Sequence, residues 1–224
     1  MAPLAREAQH RVRLLARCWL TPDILELRLS RPAGFAFLPG QFLRFWMEGV
    51  ARDYTLVSAP DDDTMDFCIA MVAGGRFSRA LREAAVGDAF SVSGPYGHFI
   101  FQGEANPAVF VSTGTGVAPF VAFCRSGVTG ARLLHGVREP AGLIYRDLLQ
   151  ARLAGYVACI SGPGEASTAG GAFFPGRVTG YLASKLAPGN YDFYVSGRRG
   201  MIGDVTALID TRFPDSRLFV EPYD

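Results

Sequence analysis

Short apolar runs separated by turn residues fill the first half of the chain. Several of them alternate apolar and polar residues, which is typical of strands with one face in a core. The predicted strands are "RVRLLARCWL" (11–20), "ILELRLS" (24–30), "QFLRFWM" (41–47), "DYTLVS" (53–58), "DFCIAMV" (66–72) and "AFSVSG" (89–94). Six short strands at near-regular spacing predict an antiparallel β-barrel, interrupted by one helix in "SRALREAAV" (78–86).

The rhythm changes after about residue 105, where apolar runs alternate with helical patterns. The strand and helix pairs are "AVFVS" with "APFVAFCRS", "ARLLHGV" with "IYRDLLQARL", "YVACIS" with "GYLASKL", and "YDFYVSG" with "IGDVTALIDTRF". This alternation predicts a Rossmann-like α/β domain whose parallel sheet is covered on both faces.

A polar stretch, "FQGEANP" (101–107), separates the two patterns. We therefore predict a two-domain fold, with the barrel in residues 1–103 and the α/β domain in residues 104–224. The segment 161–176 is rich in glycine and small residues, and it is predicted to be a long mobile loop, as binding loops often are.

Composition and charge narrow the classes of partner. The 224 residues carry a formal net charge of +1, which argues against a nucleic-acid-binding surface. The four cysteines, Cys18, Cys68, Cys124 and Cys159, are far apart and lack the close pairs of metal or iron-sulfur sites, so no metal centre is expected. No run approaches the roughly 20 apolar residues of a membrane span, and we expect a soluble, cytoplasmic protein.

The segment "FVSTGTGVAPF" (110–120) has the order strand, glycine turn, helix. Glycines at 114 and 116 let the backbone approach a pyrophosphate, and the first turn of the helix offers free N–H groups and a positive dipole end. Pro119 is compatible with that first turn. The alternative is an ordinary tight connection, because glycines are common after strands.

A second candidate anion site lies in "AGGRFSRAL" (73–81). Gly74 and Gly75, followed by Ser78 near a helix start, can present N–H groups and a hydroxyl to a phosphate. The alternative is an ordinary capped helix. Two anion sites in two domains predict two bound nucleotides.

The strand "ARDYTLVSAP" (51–60) carries an unusual number of polar groups. In an extended segment Arg52 and Tyr54 share a face, whereas Thr55 lies on the other. A guanidinium suits a pyrophosphate, a tyrosine ring can lie against a flat ring system, and a hydroxyl can bond a ring nitrogen. These residues fit a flavin dinucleotide, and the alternative is an exposed edge strand.

Three of these segments together resemble a known family. "RDYTLVS" is similar to the R-x-Y-[ST]-x-x-S flavin motif of the ferredoxin-NADP reductase superfamily, "GTGVAPF" to its T-G-x-A-P motif, and "YVSGRRGM" to its C-G-x-x-x-M motif. The ending "VEPYD" resembles the E-x-Y ending of plant-type members. The motifs occur in the family's order, from "FLPGQF" (37–42) to the end of the chain.

The resemblance implies a flavin site in the barrel. Arg52 would hold the pyrophosphate, Tyr54 would pack on the flavin and Thr55 would lie near its N5 edge, while Gly75 and Ser78 would complete the phosphate site. The predicted flavin-binding set is Arg52, Tyr54, Thr55, Ser58, Gly74, Gly75 and Ser78.

The resemblance also implies a nicotinamide nucleotide site in the α/β domain. Its predicted phosphate turn is Gly114, Thr115, Gly116 and Pro119. Ser196 and Gly197 would lie beside the nicotinamide, although the family usually has cysteine at position 196. Glu221 would be part of the terminal pair with Tyr223, whose ring covers the flavin until nicotinamide displaces it. The predicted catalytic residues are thus Thr55, Ser196, Glu221 and Tyr223.

The implied activity is that of an FAD-dependent NAD(P)H oxidoreductase. Hydride would pass from nicotinamide to flavin, and electrons would then pass singly to a separate acceptor such as a ferredoxin, a flavodoxin, a cytochrome or an oxygenase component. Alternatives are a reductase of free flavin or quinone and a non-catalytic nucleotide-binding subunit of a larger complex. FAD rather than FMN rests on the resemblance, because Arg52 would suit either phosphate group.

NADH is the expected nicotinamide cofactor. A 2′-phosphate needs basic partners, yet residues 153–176 contain no Lys or Arg and do contain Glu165. Steady-state assays with the two cofactors test this, with a higher kcat/KM for NADH expected. A clearly higher value for NADPH would indicate that Arg138, Arg198 or Arg199 reaches the ribose instead.

Overall fold

The computed structural model describes residues 9–47, 49–103, 105–162 and 172–223. The chain divides into two compact units, residues 1–100 and 101–224. The first unit contains β1 (Gln9–Thr21), β2 (Ile24–Ser30), β3 (Phe42–Met47), β4 (Val50–Thr55), β5 (Thr64–Ala70), α1 (Arg76–Glu83) and β6 (Ala89–Tyr96).

The first unit is an antiparallel barrel, as predicted. Its strand order is β4-β3-β6-β1-β2-β5, and every neighbouring pair runs antiparallel. The interior holds fully buried side chains from several strands, among them Leu27, Phe45 and Phe67. Leu81 of α1 is buried in the same core, so the helix packs against the barrel through its apolar face.

The segment that follows β4 brings the two ends of the sheet together. Leu56 forms an antiparallel bridge with Phe67 of β5. The Val57 N–H donates to the Asp66 carbonyl at 2.9 Å, and the Asp66 N–H donates to the Ser58 hydroxyl oxygen at 3.0 Å. Ser58 is fully buried, so its hydroxyl replaces water as the partner of a buried backbone group.

Two predicted elements of the barrel are displaced. The strand predicted at 53–58 is Val50–Thr55, because the chain leaves β3 after Thr55 and turns to β5. The helix predicted at 78–86 is Arg76–Glu83. Gly75 is its N-cap and no side chain caps it, so a capped helix beginning at Ser78 was wrong.

The second unit is an α/β domain with a parallel sheet, as predicted. Its strand order is β10-β9-β8-β7-β11-β12, with parallel pairing throughout. Its elements are β7 (Ala108–Thr113), a 3-10 turn (Gly114–Val117), α2 (Ala118–Arg125), β8 (Arg132–Val137), α3 (Arg146–Arg152), β9 (Gly155–Ile160), β10 (Ala172–Pro175), α4 (Val178–Ser184), β11 (Asp192–Arg198), α5 (Arg199–Arg212) and β12 (Arg217–Tyr223).

Two strands of this sheet were missed. The last residues of the segment predicted to be a long loop form β10, which pairs in parallel with β9. That part of the loop prediction was wrong, and residues 163–171 lie outside the described part of the chain. β12, which pairs with β11, was not predicted as a strand. Its last residues were noted only for their resemblance to the family's E-x-Y ending.

Helices cover both faces of the parallel sheet. Phe110 of β7 stacks on Phe120 of α2, with ring centroids 4.6 Å apart. On the opposite face Val111 shares an apolar cluster with Val178 of α4 and Val205 of α5. Within the described ranges no helix has both the length and the apolar content needed to cross a membrane.

A buried ion pair fastens the amino-terminal end of β11. Asp192 is fully buried and accepts two hydrogen bonds from Arg217 of β12 and two from Asn106. The hydrogen bonds from Arg217 lower the pKa of Asp192 to about 2. The segment before β7 and the last strand are thus tied to one carboxylate.

We expect Arg217→Ala to destabilise the α/β unit by about 3 kcal/mol, because it leaves a buried carboxylate without its cation. Asp192→Asn should cost less, because the Arg217 side chain is 45% exposed and can be solvated. Denaturant unfolding of the two variants and their combination measures this. Equal losses for both single variants would contradict the asymmetry.

Candidate nucleotide-binding sites

β4 presents Arg52 and Tyr54 on one face, as its alternation predicts. The register pairs Arg52 with Phe45 and Tyr54 with Leu43, both of which point into the barrel core. Arg52 is exposed and Tyr54 is half-buried. Thr55, at the end of the strand, is 3% exposed.

The Tyr54 ring is held by aromatic neighbours on two sides. It meets Phe45 edge-on with centroids 5.4 Å apart, and it lies 5.7 Å from the Phe77 ring of α1. Burial raises the pKa of the Tyr54 phenol, so the ring stays neutral. This packing fixes the ring's orientation and leaves part of its surface open, as a platform for a flat ligand requires.

The Arg52 guanidinium is available to an anion. Its Nη1 donates to the Ala51 carbonyl at 2.7 Å, and it has no carboxylate partner among the described residues. The adjacent acid, Asp53, instead forms a bidentate pair with Arg44 across the strand pair at 2.8 and 2.9 Å. Because that carboxylate is occupied, Arg52 keeps its charge for a ligand such as a pyrophosphate.

The loop before α1 is closed by its own hydrogen bonds. The Gly75 N–H donates to the Val72 carbonyl at 3.1 Å, and the Val72 N–H donates to the Ser78 hydroxyl oxygen at 2.9 Å. Gly74 is exposed within this loop. No acidic residue lies in the first turn of α1, so its N–H groups and dipole favour an anion.

The 3-10 turn Gly114–Val117 connects β7 to α2 at the carboxyl edge of the parallel sheet. The strand order reverses between β7 and β11, and ligands of open α/β sheets bind at such a switch point. Pro119 is buried in the first turn of α2 and Thr115 is half-buried. The sequence therefore places its predicted phosphate turn at the expected edge.

Gly116 packs directly on the backbone of β11. A Cβ at this position would lie 2.5 Å from the Ser196 carbonyl oxygen and 2.8 Å from Gly197 Cα. Gly197 itself has φ +144°, and a Cβ there would lie 2.6 Å from Thr113 Oγ1. Both positions require glycine, because any side chain would separate the turn from the strand end.

One row of residues crosses the sheet beneath this turn. The register aligns Glu221 of β12 with Ser196 of β11, Ser196 with Ser112 of β7, and Ser112 with His135 of β8. Two predicted catalytic residues, Ser196 and Glu221, are thus neighbours. Tyr223 aligns with Arg198 at the end of the same strand pair.

Several buried polar atoms at this edge have no partner among the described residues. They are Ser112 Oγ, Thr113 Oγ1, His135 Nε2 and Ser196 Oγ. Buried polar groups are nearly always satisfied by protein, water or ligand, so this cluster marks a polar region in an otherwise apolar sheet.

His135 is neutral and fixed from one side. Its Nδ1 lies 3.0 Å from the Tyr156 hydroxyl, and the residue is fully buried. Burial lowers the pKa of His135 to about 4, against a smaller opposing effect of the Gly114 backbone. The sequence analysis missed Ser112 and His135, and the only available signal was the presence of polar residues at the ends of otherwise apolar strands.

The predicted sites fall into two groups, one in each unit. The flavin group is on β4, the segment after it and the start of α1, and the nicotinamide group is on the turn after β7 and the ends of β11 and β12. In the described residues no group of three His, Cys, Asp or Glu side chains is arranged to hold a metal ion.

Comparison with known proteins finds one family domain in each half of the chain. Residues 15–101 match the oxidoreductase FAD-binding domain and residues 110–207 match the oxidoreductase NAD-binding domain. The chain is thus an oxidoreductase-type protein that carries an FAD-binding and an NAD-binding domain. It belongs to the ferredoxin-NADP reductase superfamily.

Curated relatives of the chain include components of oxygenase systems. The toluate 1,2-dioxygenase electron transfer component of Pseudomonas putida is 33% identical over 214 residues, covering 88% of this chain and 61% of the relative. The propane 2-monooxygenase reductase component of Mycolicibacterium goodii is 30% identical over 223 residues, covering 91% of this chain and 64% of the relative. The chain spans between 56% and 64% of the first four curated relatives.

Solved structures share the fold. A ferredoxin NADP+ reductase from Neisseria gonorrhoeae with bound FAD and NADP has a TM-score of 0.79 and 22% sequence identity, covering 95% of this chain and 98% of that chain. The ferredoxin reductase in carbazole 1,9a-dioxygenase has a TM-score of 0.78 and 24% sequence identity, covering 97% of this chain and 70% of that chain.

We expect Gly116→Ala to weaken use of the nicotinamide nucleotide, because the new methyl group displaces the turn from β11. A displacement of this kind lowers kcat/KM on the order of 10- to 100-fold. Gly203→Ala is the matched control, since that glycine is exposed in α5 and a Cβ there meets nothing within 4 Å. Steady-state kinetics decide, and equal activity of the two variants would contradict the packing argument.

Proposed function

We propose that this chain is an FAD-dependent NAD(P)H reductase that passes electrons to a separate one-electron acceptor. The observation that carries the proposal is the presence in one chain of two nucleotide-type sites of different construction. One is the Arg52–Tyr54 strand face with the α1 anion loop, and the other is the glycine turn at the switch point of the parallel sheet.

The flavin site is assigned to the first unit. Arg52 binds the pyrophosphate, and the first turn of α1 after Gly75 contributes backbone N–H groups. Tyr54 packs its half-open ring against the flavin, and Thr55 supplies a polar contact near the N5 edge. Ser58 contributes indirectly, because its hydroxyl holds the segment after β4 against β5.

The nicotinamide site is assigned to the second unit. The Gly114–Gly116 turn binds the pyrophosphate, and Ser196 and Glu221 present polar groups at the nicotinamide end. Tyr223 is proposed to cover the flavin ring when nicotinamide is absent. NAD(P)H and FAD supply hydride and electron chemistry when bound, so the protein needs few titratable groups.

The acceptor is proposed to be a ferredoxin, a flavodoxin, a cytochrome or an oxygenase component. This proposal is supported by relatives named as electron transfer or reductase components of oxygenase systems. We assign residues 1–103 to flavin binding and 104–224 to nicotinamide binding. A cytoplasmic location is part of the proposal, since none of the four cysteines forms a disulfide, as a reducing compartment favours.

The purified protein should be yellow, and its flavin should bleach when NADH or NADPH is added without oxygen. Arg52→Ala should weaken FAD binding by at least tenfold, because a charge-assisted contact to phosphate is lost. Arg11→Ala, which removes an exposed arginine of β1, is the control and should retain FAD. Absorbance titration with FAD measures both affinities.

Three outcomes separate the alternatives. A colourless, folded protein that refuses FAD defeats the proposal. A flavin that nicotinamide nucleotides do not reduce indicates a nucleotide-binding subunit without turnover. Rapid transfer to free flavin or quinone, with no transfer to purified ferredoxins, cytochromes or oxygenase components, indicates a reductase of small molecules.

A further inference from the structure

The turn after β7 has a neighbour on each side. On one side a Cβ at Gly116 would lie 2.5 Å from the Ser196 carbonyl oxygen, so the turn rests on the backbone of β11. On the other side lies β8, where the fully buried His135 is aligned with Ser112, two residues before Gly114. Aligned residues of neighbouring strands point to the same face of a sheet, so β8 brings an imidazole close to the start of the turn.

The two ring nitrogens of His135 have different surroundings. Nδ1 lies 3.0 Å from the Tyr156 hydroxyl, and the two rings meet edge-on at 88°. The Gly114 backbone raises the pKa of His135 against the larger, opposite effect of burial, as a hydrogen-bond acceptor such as a carbonyl oxygen does. Because Nδ1 is occupied by Tyr156, the Gly114 carbonyl faces Nε2.

This arrangement selects one tautomer of the imidazole. A carbonyl oxygen can only accept, so Nε2 carries the proton and Nδ1 accepts from the Tyr156 hydroxyl. Burial raises the pKa of the Tyr156 phenol, so the hydroxyl keeps the proton that it donates. Within the described part of the chain Nε2 has no partner of ordinary hydrogen-bond geometry, so its contact with Gly114 is a long one.

Gly114 has a backbone conformation that needs support. Its φ is +54°, in the left-handed region, although a Cβ at this position would meet nothing within 4 Å. The conformation, and not crowding, therefore requires glycine here. Since glycine is permissive in both dihedral angles, a contact from outside the turn decides the direction of its carbonyl.

The direction of this carbonyl also sets the direction of an N–H group. The Gly114–Thr115 peptide is trans, so its C=O and N–H point in opposite directions. A carbonyl turned toward His135 in the sheet turns the Thr115 N–H away from the sheet. This N–H belongs to the turn at the switch point of the strand order, where an anion is expected to bind.

We propose that Tyr156 and His135 are positioning residues for the nicotinamide nucleotide, an inference that rests on the proposed function. His135 donates to the Gly114 carbonyl, and the Thr115 N–H thereby points at the pyrophosphate. A phosphate oxygen bound to that N–H polarises the same peptide, which strengthens the bond from His135. We therefore expect the contact between Nε2 and Gly114 to be shorter with nucleotide bound than without it.

Calorimetry with ADP-ribose, which carries the pyrophosphate and lacks nicotinamide, tests this proposal. The amide of Asn lies near the position of Nδ1, so His135→Asn loses the group that faces Gly114. Its Kd for ADP-ribose should rise about tenfold, as expected when a hydrogen bond to a charged group is weakened. The amide of Gln reaches about as far as Nε2, so His135→Gln should recover most of the affinity. Equal or better binding by the Asn variant would overturn the proposal.

Steady-state kinetics of the FAD-loaded protein separate this role from general damage. Contacts to the pyrophosphate are the same in the ground state and the transition state, so His135→Asn should raise the KM for NADH or NADPH with little change in kcat. Asp192→Asn is the matched control, because it alters another fully buried polar residue of the second unit, at the opposite end of the sheet. An equal rise of KM in both variants, or a fall in kcat alone, would refute the proposal.

Nitrogen NMR of the imidazole keeps this inference separate from the proposed function. Protein labelled with 15N-histidine, with the His135 signal assigned by its loss in His135→Gln, should show a protonated Nε2 and an unprotonated Nδ1 at neutral pH. The Nε2 proton should shift downfield when ADP-ribose is added. A proton on Nδ1 would overturn the proposal. If the unaltered protein binds neither ADP-ribose nor NADH, the proposed function fails, while the tautomer still decides whether His135 holds the Gly114 carbonyl.

Discussion

The contact between Gly116 and the backbone of β11 is the constraint on which the second unit depends. A methyl group at Gly116 would lie 2.5 Å from the Ser196 carbonyl oxygen, so the turn after β7 can rest on β11 only because this side chain is absent. The contact spans the place where the strand order reverses. It therefore puts the first turn of α2, with its anion-favouring N–H groups, beside the polar ends of β11 and β12.

In the barrel, β4 and the segment that follows it carry a candidate ligand-binding group and also close the sheet on itself. Arg52 and Tyr54 lie in the last part of β4. The buried Ser58 hydroxyl accepts a hydrogen bond from the backbone of β5. This arrangement accounts for the many polar groups in a strand of strong β-forming residues, since some of them are candidates for ligand binding and others serve the fold.

Electrostatics divides the parallel sheet into two ends. The amino-terminal end of β11 holds a charged pair, in which Arg217 lowers the pKa of Asp192 to about 2. At the carboxyl edge the buried polar groups of β7, β8 and β11 are instead neutral, because burial lowers the pKa of His135 to about 4. The charged end is satisfied within the protein and anchors the sheet, while the buried hydroxyls of the neutral end have no hydrogen-bond partner among the described residues.

The sequence by itself determined the two-domain fold, the parallel and antiparallel sheets and the shared face of Arg52 and Tyr54, because periodicity and turn residues act locally. It misplaced the start of α1 and missed β10 and β12, whose pairing depends on neighbours distant in sequence. It also gave no role to His135. Only the tertiary structure decided that His135, Ser112 and Ser196 form one row, since the register of strands far apart in the chain is set by packing and not by local pattern.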